Sequence, residues 1–227
     1  MKQGFWRDIV DFLKTVDKTW AMTWAIIYAG IILSFTMDPA SKLVTFVKIG
    51  GIFLCLVYVL IRYHKDRKLV IALSFTLLAD LALMLDGTSM AGVVLFCFVQ
   101  FFHMTRLVDM DTKKFATYAG FLMLAIAIGS FIHADIMYII GFIYATTLVS
   151  NIIISWNWFE QTKITIAKLA VVGFVLFIAC DLCVAVSYLS LTNVLPMVLY
   201  MPANYFAWVF YYPSQVLLAN SSKTMIQ

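Results

Sequence analysis

Charge is scarce in this chain. Asp, Glu, Lys and Arg make up 12% of its 227 residues, about half the share usual in soluble domains. Hydrophobic residues reach 63% and the mean hydropathy is +0.95, which together exclude a soluble globular fold. Histidine is scarcer still, with only His64, His103 and His133. The sequence has no Gly-rich phosphate loop, no G-x-S-x-G elbow and no H-E-x-x-H helix, so the common nucleotide, serine-hydrolase and zinc-protease chemistries have no foothold. The four cysteines, Cys55, Cys97, Cys180 and Cys183, all fall inside apolar runs, a poor place for an exported disulfide framework. The C-x-x-C formed by Cys180 and Cys183 lacks the basic or histidine-rich context of a redox or metal motif, and reads as small helix filler.

What is present is a series of long apolar runs. A spanning helix needs about 20 mostly apolar residues, and eight such windows fit, at 19–37, 43–61, 69–86, 90–108, 115–133, 135–154, 164–189 and 195–219. The expected fold is all-α, a polytopic membrane protein with eight transmembrane helices in a bundle and both termini cytoplasmic. The basic residues set that orientation. Fourteen of the sixteen Lys and Arg fall on one side under this topology, leaving Lys42 and Lys48 on the other. The net charge of +4 is thus spent on sidedness and points to no nucleic-acid partner. Residues 1–18 place Phe5, Ile9, Phe12, Leu13 and Val16 at helical spacing against a charged face, as in a helix lying in the membrane interface. The expected division is therefore an interfacial N-terminal helix over 1–18, a transmembrane domain over 19–220 and a short cytoplasmic tail over 221–227.

The same topology puts His64 at one membrane surface and His133 at the other, about 30 Å apart, too far to share a zinc ion. No metal and no cofactor is expected. Chemistry, if any, falls to carboxylates. Ten of the twelve acidic residues lie in connections, in the N-terminal segment or at span boundaries, and Asp86 beside Gly87 reads as a turn. Asp80 and Asp181 are the exceptions, roughly 9 and 12 Å from the same ends of their helices at 1.5 Å per residue. A charge at such depth costs about 2.5 kcal/mol or more, so it normally faces a protein interior or a wet cavity. Lys48, Gln100, His103, Tyr211, Tyr212 and Gln215 occupy neighbouring spans. Polar groups in lipid often do no more than join helices, which suffices for the amides and tyrosines. Two aspartates at matched depth are an expensive way to make a contact that Asn or Ser makes as well. A short echo between FTLLADL (75–81) and FIACDLC (177–183) ties the third and seventh helices, which cross in the same sense.

Five blocks, VKIGGIFL, LSFTLLADLALML, GVVLFCFVQFFHM, GFVLFIACDLCVA and YYPSQVLLA, resemble in order and spacing those of the lysoplasmalogenase (YhhN-like) family of eight-helix membrane proteins, from about residue 45 to 220. Lys48 matches the family's second-helix lysine, with Ile49 where a proline usually follows. Asp80 matches the aspartate of a Gly-Asp pair, here Ala79-Asp80, and Asp181 that of a Ser-Asp pair whose serine is Cys180. Gln100 and His103 stand where the family has histidine and tyrosine, and Tyr212 with Gln215 match Tyr-x-x-Gln. The resemblance implies hydrolysis of the vinyl ether bond of lysoplasmalogen to a fatty aldehyde and a glycerophospho-alcohol, in the cell membrane and with a lysophospholipid as substrate. Asp80 and Asp181 are then expected to form the catalytic acid and base pair, neither role being assigned to either residue, with Lys48, Gln100, His103, Tyr212 and Gln215 as the substrate-binding groups. A vinyl ether is cleaved by protonating its β-carbon, and water captures the resulting oxocarbenium ion. Two carboxylates in different roles suit that sequence of events, as in glycosidases. The competing expectations are a small-molecule or proton-coupled transporter and a non-catalytic lipid-binding protein.

Overall fold

The computed structural model describes residues 18–34, 42–85, 89–108 and 110–223. The interfacial helix expected before Lys18, the turn at Asp86 and Gly87, and the last four residues of the tail lie outside the described residues. Among the described residues there are eight α-helices, a short 3-10 turn at Met197–Leu199 and no strand. The helices are α1 (Lys18–Ser34), α2 (Lys42–Arg62), α3 (Arg67–Leu85), α4 (Met90–Leu107), α5 (Thr112–Phe131), α6 (Ile136–Thr162), α7 (Thr165–Leu191) and α8 (Tyr200–Ala219). Six of them, α2 to α7, are long and apolar enough to cross a membrane. The protein is an all-helical, multi-pass membrane protein.

Helices α2, α3, α4, α6, α7 and α8 pack in that order, with α8 returning to α2, so six helices close into a ring. Helix α1 lies outside it against α2 and α8, and α5 lies outside against α6. Lys48 beside Trp208, Gly51 beside Tyr212 and Tyr58 beside Asn220 advance together along α2 and α8, which are therefore parallel. Asp66 meets Ser222 and Asp80 meets Tyr211, so α3 runs against α8. Lipid supplies no hydrophobic drive between helices, and close backbone approach and polar contacts hold them instead. At Gly173 a side chain would strike Leu218 at 2.9 Å. Only glycine lets α7 lie that close to α8.

Charged side chains join the helix ends at one end of the ring. Asp66 caps α3 through the Leu69 N–H at 3.2 Å and accepts from the Ser222 hydroxyl at 2.8 Å. Arg106 donates to the Ser221 carbonyl and hydroxyl at 2.9 and 3.0 Å. Lys68 and Lys223 donate to the last carbonyls of α4, at Thr105 and Leu107, which complements the negative end of that helix. We call this the basic end.

Two helices depart from the expected windows. Helix α6 runs to Thr162, well past the expected 154, because hydropathy marks where lipid ends and not where the helix does. It stops where Lys163 turns to φ 54° and returns its N–H to the Phe159 carbonyl at 2.7 Å. In α8, Pro202 sits in the first turn, where a missing N–H costs nothing. Pro213 lies inside the helix and leaves the Val209 carbonyl without its usual donor. The Tyr28 hydroxyl of α1 donates to that carbonyl at 3.1 Å.

Candidate functional site: two aspartate and tyrosine pairs in one layer

On α3 the buried residues are Leu69, Ala72, Leu73, Thr76, Ala79 and Asp80, the three- and four-residue spacing of one helix face. Asp80 thus continues the packed stripe. It is 6% exposed, and both of its oxygens accept from the Tyr211 hydroxyl, at 2.8 and 2.7 Å. A phenol has one proton to give, so the hydroxyl straddles the carboxylate. Tyr211 lies on the corresponding stripe of α8, with Ala203, Ala207, Ser214, Gln215 and Leu218.

Asp181 has the same arrangement on the other side of the ring. The Tyr144 hydroxyl of α6 donates to its Oδ2 at 2.7 Å, and the residue is only partly buried. The two pairs share a wall of rings. Phe96 of α4 touches Tyr144 at 6.1 Å and Tyr211 at 6.4 Å between centroids, and Phe177 of α7 touches Phe96 at 5.9 Å and Tyr211 at 5.7 Å. Cys180 is within electrostatic reach of both carboxylates. Among the described residues neither aspartate has an ion-pair partner within 4.0 Å. Each is held by a neutral donor.

The other residues singled out from sequence distribute around this layer. Lys48 is 9% exposed, with its Nζ 4.6 Å from the centre of the Trp208 ring, a cation–π contact. Trp208 in turn meets Tyr211 edge-on at 5.3 Å, so Lys48 is two residues removed from Asp80. Gln100 and Gln215 are both fully buried. Phe96 meets Tyr211, and Arg106 meets Ser221, at equal separations in sequence, so Gln100 and Gln215, each one turn nearer the basic end, stand level with one another. Asn151 of α6 donates to the Gln100 side chain and main-chain oxygen, both at 2.9 Å. The Gln100 amide also faces Tyr144. His103, one turn further towards the basic end, packs edge-on against Phe174 at 5.3 Å. Gln100 Nε2, Asn151 Oδ1, both His103 nitrogens and both Gln215 amide atoms are buried without a protein partner. Such groups cost about 1 to 3 kcal/mol each, and they offer donors and acceptors for a water molecule or an ether oxygen.

Tyr212 takes a different direction. It stacks on Tyr28 at 6.2 Å and covers Gly51, where a side chain would meet its ring at 2.7 Å. Adjacent residues on a helix point about 100° apart, and Tyr211 is the one that reaches Asp80. The structure thus adds Tyr144, Asn151 and Trp208 to the residues around the two carboxylates, and singles out Tyr211 from the polar groups already noted in the sequence. On α6 a signal was available: Leu148, Asn151 and Ser155 are buried together, a polar stripe at helical spacing that continues back to Tyr144. His64 and His133 lie in turns at opposite ends of the bundle, after α2 and after α5.

The YhhN family model matches residues 43–222, a stretch that contains the whole ring and every candidate residue above. No curated protein matches the chain and no solved structure does. With most of its length covered by that one model, this chain belongs to the YhhN family.

Proposed function

We propose that this protein is a membrane-embedded hydrolase of the lysoplasmalogenase type, with eight spans and both termini on the cytoplasmic side of the cell membrane. Its substrate is a lysophospholipid carrying a vinyl ether, and its products are a fatty aldehyde and a glycerophospho-alcohol. The observation that carries this is the pairing of Asp80 with Tyr211 and of Asp181 with Tyr144 across one aromatic wall. One carboxyl delivers a proton to the β-carbon of the vinyl ether. The other, as carboxylate, stabilises the oxocarbenium ion and takes a proton from the attacking water. The hemiacetal then collapses, its hydroxyl proton passing to the leaving oxygen to give aldehyde and free alcohol, and the proton held by the second carboxyl returns to the first. The phenols hold each carboxyl in place through this cycle. Gln100, His103 and Gln215 orient water or the ether oxygen, and Lys48 meets the lipid phosphate as a point charge.

The alternatives are a small-molecule or proton-coupled transporter and a non-catalytic lipid-binding protein. Purified protein incubated with lysoplasmalogen tests the proposal through release of aldehyde. Proton-coupled flux in liposomes without aldehyde would replace the hydrolase with a transporter, and saturable lipid binding with neither would replace it with a binder.

A further inference from the structure

Outside the ring, α5 and α6 leave between them a groove of about 410 Å³ whose lining includes neither carboxylate. Helix α5 is the least embedded of the candidate spans and packs chiefly on α6. The Tyr118 hydroxyl pairs with Thr147 at 3.3 Å, and Phe121 meets Phe142 at 6.3 Å. These contacts fix the register of the two helices and bring Lys113, Lys114 and Ser150 to one end of the groove. Helix α6 continues from Ser150 to Thr162, about 18 Å at 1.5 Å per residue. The lysines therefore stand on a step, recessed beside a helix that rises past them.

The groove changes character along its length. Lys113 and Lys114 occupy the basic end, Thr117 and Thr146 with their hydroxyls come next, and the Phe121 ring closes the far end. From Lys113 to Phe121 is about 12 Å, comparable to the passage in a glycerophospholipid from phosphate through the glycerol esters to hydrocarbon. The Thr117, Thr146 and Ser150 hydroxyls donate back to carbonyls of their own helices, at 3.0, 2.8 and 2.8 Å, which leaves their oxygens as acceptors. Asp111 caps α5 through the Lys114 N–H at 2.8 Å and lies 3.9 Å from the Lys114 ammonium, so the local excess of positive charge is small. That balance suits one phosphodiester with hydroxyl donors better than a polyanionic head group.

We propose that this groove binds a glycerophospholipid with a single anionic phosphate and a hydroxyl-bearing head group, phosphate against Lys113 and Lys114, acyl chain along Phe121. The site is independent of the hydrolase proposal, because neither carboxylate nor Tyr144 lines it, and Thr146 and Ser150 lie on another face of α6 from Tyr144. The test is retention of phosphatidylglycerol by delipidated protein in neutral detergent, read by native mass spectrometry. Phosphatidylcholine and inorganic phosphate serve as comparison probes. Wild-type protein should retain phosphatidylglycerol in preference to phosphatidylcholine, and millimolar inorganic phosphate alone should not displace it. The Lys113→Ala/Lys114→Ala variant should bind roughly 30-fold more weakly, the loss of two juxtamembrane charges. Lys163→Ala, an exposed lysine at the same end of the bundle, should bind as wild type. A Thr146→Val variant, which keeps both lysines, should show a smaller loss of the same preference. Undiminished binding in the lysine pair variant, equal retention of phosphatidylcholine, displacement by phosphate, or an equal loss in Lys163→Ala would each overturn the site.

Discussion

The two aspartate and tyrosine pairs are built from the same parts and differ in their surroundings. Asp80 is 6% exposed and takes both bonds from Tyr211, deep in the stripe shared by α3 and α8. Asp181 takes one bond from Tyr144 and is less deeply buried. Equal chemistry in unequal shelter suggests a division of labour. Within the mechanism proposed above, the more deeply buried carboxyl would deliver the proton to carbon and the less buried one would meet the attacking water.

The largest effect expected is from removing either acid. Asp80→Asn and Asp181→Asn should each lower aldehyde release by about 10²- to 10⁴-fold, the usual worth of a positioned acid or base, while the protein remains folded in detergent. Full turnover in either variant would remove that residue from the mechanism. If the two serve one turnover, Asp80→Asn/Asp181→Asn should be little worse than the poorer single variant, since groups acting as a unit are not additive. Multiplicative losses would mean two separate contributions.

The contrast in shelter is sharpened by chemical rescue. Under that division formate should restore part of the activity of Asp181→Ala and none of that of Asp80→Ala, whose carboxyl is the more deeply buried. Rescue of both, or of Asp80→Ala alone, would erase or invert the division proposed. The smallest effects are on stability. Tyr211→Phe leaves the more deeply buried carboxylate without its donor and should cost about 1 to 3 kcal/mol, seen as a lowered melting temperature. Tyr144→Phe should cost less, and equal shifts would mean that the two sites are equally closed.

Much of this arrangement was legible in the sequence, for reasons of contrast. Two aspartates stand out in a chain where charge is rare, and hydropathy alone located the helices. The partners did not stand out. Tyr144 and Trp208 are ordinary members of a chain with eleven Tyr and six Trp, and only the packing of α6 on α7 and of α2 on α8 gives them meaning, as the packing of α4 on α6 does for Asn151. The family pattern drew attention to Tyr212, whereas contact with Asp80 belongs to Tyr211, a distinction of one helical step that no motif resolves. The ring was likewise hidden, because α5 intervenes in sequence between α4 and α6 and takes no part in it.

The bond from Tyr28 to the Val209 carbonyl has a practical reach. Helix α1 lies before residue 43, where the family match begins, so a shortened protein starting there would look complete by homology. It would lack the hydroxyl that compensates for Pro213, and with it a brace on the half of α8 that carries Tyr211. Such a truncation should still insert, yet hold its aspartate partner in a looser geometry, which makes the leading helix an accessory to the site rather than a dispensable leader.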